Sequence, residues 1–432
     1  MRVRDRSIGS RLALGLADSG MSSVGNLGVS IISARSTSLA QFGIFATTML
    51  VLLLVTGAFR SAHGDVLVLK ARTGPGSAAL DGRSSTASVL RVSGALGLAT
   101  AVGGGLTALL SDDGLRSAAL SVAIAGTALP LLCLQDHLRW IEYARGANHR
   151  AFANTSLWTV ASIGSLLAVR LLAGDGVPAF VCLMCWGYST VPGIVYAVVR
   201  GRIPLVLERP AWLGGNRQLV RPLVVDFSLT QASAQGATLV VAALAGAVEM
   251  ALIRKGQIWL GPMTVATIGL LAALQPILSQ RAATKGASAA VRLAAGIGAL
   301  VSVLMLVYGA VVLLLPTDVA ELLTGPGWHE SRPYVWPLAV QGAAGMMGGC
   351  LGLALRTTGL LGRQVRWRTV LGPASVVAVA VVTQFFGAMA GMWCLAGAGV
   401  ATVLVWAALL VSADRERRQH AVDALERSPA QG

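Results

Sequence analysis

The sequence predicts an all-α, polytopic membrane protein of about twelve transmembrane helices, arranged as two six-helix lobes around a central cavity with both termini cytoplasmic. Three observations carry this. Hydrophobic residues make up 55% of the 432 and charged residues 12%, and the mean hydropathy is +0.70, values foreign to a soluble domain. The formal charge of +15 comes mostly from arginines that recur in short tracts between apolar runs. That distribution suits cytoplasmic loops and excludes a clustered nucleic-acid surface.

A span takes roughly 20 mainly apolar residues, and twelve windows qualify: 12–33, 42–66, 88–110, 115–134, 151–173, 177–199, 222–245, 250–277, 290–315, 334–355, 369–387 and 390–412. The basic start "MRVRDRSIGSR" leads into a segment bearing Asp18, Ser22 and Asn26. It reads as a first span rather than a cleaved signal. With the N-terminus inside, successive cytoplasmic segments take Arg2, Arg4, Arg6 and Arg11, then Lys70, Arg72, Arg83 and Arg91, then Arg139, Arg145 and Arg150. The central loop takes Arg200, Arg202, Arg209, Arg217 and Arg221; later segments take Arg281, Lys285 and Arg292, then Arg356, Arg363, Arg366 and Arg368, and finally Arg415, Arg417, Arg418 and Arg427. The exceptions are Arg35, Arg116 and Arg332, whereas outer loops carry Asp112, Asp113, Asp175, Glu249, Asp318, Glu321 and Glu330. A miscounted span would break this alternation.

The loop "RGRIPLVLERPAWLGGNRQLVRP" leaves six spans on each side. The expected organisation is a first lobe at 1–199, a linker at 200–221, a second lobe at 222–412 and a polar cytoplasmic tail at 413–432. A faint repeat supports it, since Arg11 precedes Asp18 in the first span as Arg221 precedes Asp226 in the seventh. Cys133, Cys182, Cys185, Cys350 and Cys394 fall in apolar segments, and "CLMC" lacks the context of a redox or metal site. Its cysteines read as helix packing. "AVGGGL" and "GAAGMMGGCLG" offer close helix contacts. No P-loop, metal-ligand cluster or nucleophile with its base is present, and His329 with Glu330 is a solvated loop pair. The expectation is a protein without enzymatic activity, cofactor or metal.

Polar residues inside the spans carry the functional signal, because an intramembrane charge is costly. Asp18, Ser22, Asn26, Ser30 and Ser33 share one helix face of the first span. The seventh span has Asp226, Thr230 and Ser233 beside Ser228, Gln231, Gln235 and Thr238. The second aligns Thr56, Gly57, Arg60, His63 and Gly64, with Asp65 next, and the eighth brings Arg254, Lys255, Gln257 and the deeper Gln275. Such faces must meet each other or water, so spans one, two, seven and eight are expected to surround a hydrated cavity. The candidate cavity residues are Arg60, His63, Asp65, Arg254, Lys255, Gln257, Asn26, Gln231 and Gln235. Asp18 and Asp226 are candidate ion-coupling carboxylates. Other readings stand beside these: Arg60 snorkelling to the inner interface, Asp65 pairing with Arg60 or Arg72, Arg254 and Lys255 at the outer headgroups, and Asp18 as a packing residue. Guanidinium groups match phosphate oxygens, so a cationic cavity favours an anionic substrate. A hydrophobic cation would call for acidic and aromatic residues, and aromatics are only 5%.

The segment "FGIFATTMLVLLLVTGAFRSAHGDVLVLKAR", with "QDHLRWIEYARGANHRAF", "LIRKGQIWLGPMTVATIGLLAALQPILSQ", "LLTGPGWHESRPYVWPLAVQGAAG" and "LRTTGLLGRQ", resembles the polysaccharide or oligosaccharide flippases of the multidrug/oligosaccharidyl-lipid/polysaccharide (MOP) exporter superfamily. The resemblance covers most of the chain through short motifs. It implies two lobes in a V, and movement of a polyprenyl-phosphate-linked oligosaccharide across the cytoplasmic membrane of a bacterium by alternating access. Arg60, Asp65, Arg254 and Gln257 are the matching positions. Twelve spans rather than fourteen argue against the lipid II branch, and the doublet Arg254 and Lys255 is more basic than the family's single Arg. Implied partners are the polyprenyl-linked glycan, the bilayer, and a glycan polymerase or glycosyltransferases. The rivals are a cation-coupled antiporter of the multidrug type, a non-transporting scaffold of a glycan-assembly complex, and an integral polymerase or ligase.

Overall fold

Backbone groups in hydrocarbon must be satisfied within their own segment, and the long apolar runs of this chain accordingly wind into helices. The computed structural model describes residues 8–71, 77–201 and 212–426. Arg2, Arg4, Arg6, Arg72, Arg202, Arg209 and Arg427, with residues 202–211 of the expected central linker and the last residues of the tail, lie outside the described residues.

The chain forms two compact units, Met1–Ile258 with Pro316–Ser331, and Trp259–Leu315 with Arg332–Gly432. In the first, α1 (Ile8–Ser36) precedes α2 (Leu39–Phe59), a π-helical turn at Arg60–Gly64, and α3 (Asp65–Ala71), which together make one continuous span. Then come α4 (Ser77–Leu110), α5 (Asp113–Ala144), α6 (Asn148–Ala173), α7 (Ala179–Tyr188) and α8 (Val191–Gly201). They are followed by α9 (Trp212–Gly215), α10 (Arg217–Phe227), a second π-helical turn at Ser228–Ala232, and α11 (Ser233–Ala245). Next is α12 (Ala247–Lys285), whose first turns belong to the first unit and the remainder to the second. The second unit continues with α13 (Ala287–Leu313); α14 (Thr317–Thr324) returns to the first unit, and most of α15 (Trp328–Thr357) and all of α16 (Leu361–Glu426) belong to the second. The path of α16 breaks at Gly387, whose φ of 82° and ψ of 176° suit a residue without Cβ. This break falls at the last residue of the eleventh expected window.

All twelve windows lie on helices to within about two residues. Eight helical stretches among the described residues are long and apolar enough to cross a membrane, the last holding two windows. The three windows not among them are the first, seventh and eighth, all of which carry polar faces. Apolar side chains such as Leu98, Leu110, Leu171, Phe385 and Phe386 are left exposed, the surface that a lipid solvent requires. The protein is a multi-pass membrane protein.

Several helices outrun their windows, and one extension matters. The sequence ends span four at 134 and puts Arg139 in a cytoplasmic loop, whereas α5 continues to Ala144 and buries Asp136 and Arg139. The physical reason is a continuing apolar stripe, since Leu134, Leu138 and Ile141 pack with Val66, Leu67, Ile194 and Trp212.

The core of the first unit joins Phe42, Phe45 and Met49 of α2 to Leu129 and Leu132 of α5, Trp158 of α6 and Trp186 of α7. Close approach is enforced where residues are small. A Cβ on Gly43 would stand 1.6 Å from the Ala247 carbonyl oxygen, and one on Gly104 2.6 Å from the Ala123 nitrogen. The second unit packs Leu274 and Leu278 against Ala290, Ala294, Cys350, Leu351, Trp406 and Leu410.

Candidate functional site

Within the first unit a cavity of about 290 Å³ is lined by residues of α1, α2, α5, α6, α7, α10 and α11 and both π-helical turns. Its polar lining comprises Ser22, Asn26, Thr56, Arg60, Gln135, Asp136, Arg139, Gln231 and Gln235; Leu53, Leu132, Trp158, Trp186 and Phe227 contribute to its apolar wall. The π-helical turns each supply one of these groups, Arg60 from the first and Gln231 from the second. Such turns interrupt the regular ladder and re-aim side chains. The indole nitrogen of Trp212 donates to the Ala62 carbonyl within the first one at 3.1 Å. Gly57 lets α2 close on Phe227, since a Cβ there would come within 2.5 Å of that ring.

Charge is arranged as an alternating chain. Arg60 grips Asp136 through both carboxylate oxygens, Nε to Oδ2 at 2.9 Å and Nη2 to Oδ1 at 2.9 Å. Arg139 donates to the same Oδ1 at 2.7 Å and lies 3.6 Å from Asp18 Oδ2. Asp18 in turn accepts from the Tyr143 hydroxyl at 2.5 Å. Solvent exposure falls along this chain, from 40% for the Arg60 side chain to 11% for Asp136, 9% for Arg139 and 2% for Asp18. Arg60 is therefore both paired and reachable, and the lining holds two guanidinium groups against one carboxylate. Trp140 lies beneath Arg60, 5.9 Å from ring centroid to guanidinium carbon.

Of the candidate residues, the structure brings Arg60, Asn26, Gln231 and Gln235 to this cavity. Asn26 Oδ1 accepts from the Trp186 indole at 3.3 Å, which fixes that amide's orientation. His63 is buried behind the cavity; its Nδ1 donates to the Phe59 carbonyl at 3.0 Å and its Nε2 pairs with the Ser88 hydroxyl at 3.0 Å. The ring also stacks on Phe59 and Trp212. Asp65 begins α3, half-buried and outside the lining. Asp18 sits at the far end of the charge chain, and Asp226 is on α10, half-buried and outside the lining.

Arg254, Lys255 and Gln257 stand apart from the cavity on α12. Arg254 donates to Ser30 Oγ of α1 at 3.1 Å and to Gln257 Oε1 at 3.2 Å. Lys255 is 1% exposed and donates to the Pro326 carbonyl. Sequence reasoning missed Gln135, Asp136 and Arg139. The available signal was the i, i+3 spacing of Asp136 and Arg139 beside the stripe of Leu134, Leu138 and Ile141. Among the described residues no three His, Cys, Asp or Glu side chains gather as a metal site.

No family model matches the sequence, and no curated protein does. Solved structures do match in fold. An inward-facing multidrug resistance MATE family transporter of the MOP superfamily has a TM-score of 0.68 at 13% identity, covering 95% of this chain and 96% of that one. The lipid II flippase MurJ in an inward closed conformation has a TM-score of 0.67 at 11% identity, covering 91% and 86%. An outward-facing MATE family transporter has a TM-score of 0.62 at 13% identity, covering 94% and 96%. The chain thus has the MATE- and MurJ-like fold of the MOP transporters, and these similar proteins are transporters, not enzymes.

Proposed function

We propose that this protein translocates a lipid-linked oligosaccharide, or a related anionic glycan precursor, across the cytoplasmic membrane of a bacterium by alternating access. The observation that carries this reading is the polar cavity in which Arg60, 40% exposed, stands among the amides of Asn26, Gln135, Gln231 and Gln235. A partly hydrated guanidinium suits a phosphate, and amides suit sugar hydroxyls, as donors and acceptors at once. The one carboxylate in the lining, Asp136, is engaged by two arginines, so it presents little free negative charge to a cationic substrate.

In this mechanism an arriving diphosphate competes with Asp136 for Arg60. The exchange is cheap because Asp136 keeps Arg139 at 2.7 Å. The cavity, at the small end of the range for ligand pockets, takes the diphosphate and the adjoining sugar while the prenyl chain stays in lipid. Arg254 is the second station for the phosphate, its present partners being neutral oxygens of Ser30 and Gln257. Lys255 is committed to the Pro326 carbonyl and is not assigned that task. Glycan polymerases or glycosyltransferases are the expected partners.

A cation-coupled antiporter of the MATE type is the second reading, favoured by the several MATE structures of like fold and by the buried carboxylate of Asp18. The deciding experiment deletes the gene in its host, complements with wild type or Arg60→Ala, and locates lipid-linked oligosaccharide with an outer-face sugar probe. Inner-leaflet accumulation relieved only by wild type supports flipping. Unchanged lipid-linked pools, with cation-dependent dye efflux restored by wild type, overturn it in favour of the antiporter.

A further inference from the structure

A second cavity, of about 450 Å³, lies wholly within the second unit, where the start of α13, the turn after α15 and the late part of α16 meet. Its charged lining is Arg292, Arg415 and Asp414. Asp414 accepts from the Ser288 hydroxyl at 2.9 Å, so that carboxylate has a partner already. The Arg292 and Arg415 side chains are exposed, and neither makes a hydrogen bond or ion pair with a described side chain or carbonyl. Two guanidinium groups without a partner among the described residues, against one engaged carboxylate, leave the lining with excess positive charge, and the Thr358 hydroxyl is also part of it.

The same cavity is walled by Leu410 and Val411, and Val411 is 52% exposed. Exposed apolar side chains continue from it along both helices, with Leu404 on α16 and Val303 on α13. A soluble anion would gain nothing from this apolar track, whereas an acyl chain would lie along it. Arg292 and Arg415 also fall at the cytoplasmic end by the charge bias of the sequence, the end that faces an anionic leaflet.

We propose that this cavity is a binding site for an anionic phospholipid of the inner leaflet, its phosphate held by Arg292 and Arg415 and its acyl chains laid along α13 and α16. The site is separate from the Arg60 cavity and does not depend on what that cavity transports. Two guanidinium forks supply charge-assisted donors to one phosphate, and basic pockets between helices at this depth select anionic headgroups.

The test is native mass spectrometry of the purified protein titrated with phosphatidylglycerol, phosphatidylcholine and glycerol phosphate, for wild type and for Arg292→Gln/Arg415→Gln. Both arginines are exposed and have no partner among the described residues, and thermal unfolding without lipid should be the same for the two proteins. The expected result is preferential retention of phosphatidylglycerol over phosphatidylcholine by wild type, weakened about thirtyfold in the double variant by loss of two basic side chains near the anionic phosphate. Glycerol phosphate at lipid concentrations should not displace it. Equal retention of the two lipids by wild type, undiminished binding by the double variant, or displacement by glycerol phosphate would each overturn the proposal.

Discussion

Asp136→Asn should destabilise the protein more than Arg60→Gln, although both remove one half of the same bidentate pair. Asp136 is shared by two arginines. Losing its charge strands Arg139, which is 9% exposed and then keeps Asp18 at 3.6 Å as its charged partner, with the Thr155 hydroxyl at 3.5 Å. Removing one partner from a buried ion pair costs about 3–5 kcal/mol, and the surviving Asp18 contact places this case near ~3 kcal/mol. Arg60 adds less than about 1 kcal/mol, since its side chain is 40% exposed and water screens the loss. Arg60→Gln, by contrast, leaves Asp136 bonded to Arg139 at 2.7 Å, so its cost stays at about 1 kcal/mol or less. The assay is thermal and denaturant unfolding in one fixed detergent, followed by tryptophan fluorescence. Equal losses, or a larger loss for Arg60→Gln, would refute the alternating-charge reasoning and leave Arg139 balanced by Asp18 alone.

Three further outcomes follow from single contacts. Gly43→Ala puts a Cβ 1.6 Å from the Ala247 carbonyl oxygen, a backbone atom that cannot step aside; folded protein should be lost from size-exclusion profiles, and a wild-type profile would contradict the close approach of α2 to α12. Gly57→Ala meets only the end of the Phe227 ring at 2.5 Å, so the expected cost is about 1–3 kcal/mol, partly recovered by adding Phe227→Leu; no recovery would show that the ring is not the obstacle. Tyr143→Phe removes the hydroxyl held by Asp18 at 2.5 Å and leaves a buried carboxylate short of a donor, a loss of about 1–3 kcal/mol. Unchanged unfolding would mean that the Arg139 contact alone satisfies Asp18.

What could be read in advance divides along a physical line. Span positions depend on hydropathy and arginine placement, both local in sequence, and even the break in α16 falls where window and Gly387 agree. The polar faces of the first, second and seventh spans were equally legible, and Arg60, Asn26, Gln231 and Gln235 do meet in one cavity. Partners were not legible, because they are remote. Arg60 finds Asp136 across 76 positions, and Lys255 finds the Pro326 carbonyl across 71. A hydropathy window ends at the first cluster of charges, yet a helix ends only where its polar groups lose their partners. In α5 the charges Asp136 and Arg139 have partners on α1 and at the first π-helical turn, so the helix runs on and carries them inside. This changes the meaning of Arg60 itself. Read alone it is an isolated cation awaiting a phosphate; in the structure it is the exposed end of a charge chain reaching Asp18. A ligand that draws Arg60 away from Asp136 therefore shifts charge at a site on α1 that it never touches. Coupling of that kind requires Asp136, so Asp136→Asn combined with Arg60→Ala should impair transport per folded molecule no further than Arg60→Ala alone. An additive loss would place the two residues in separate steps.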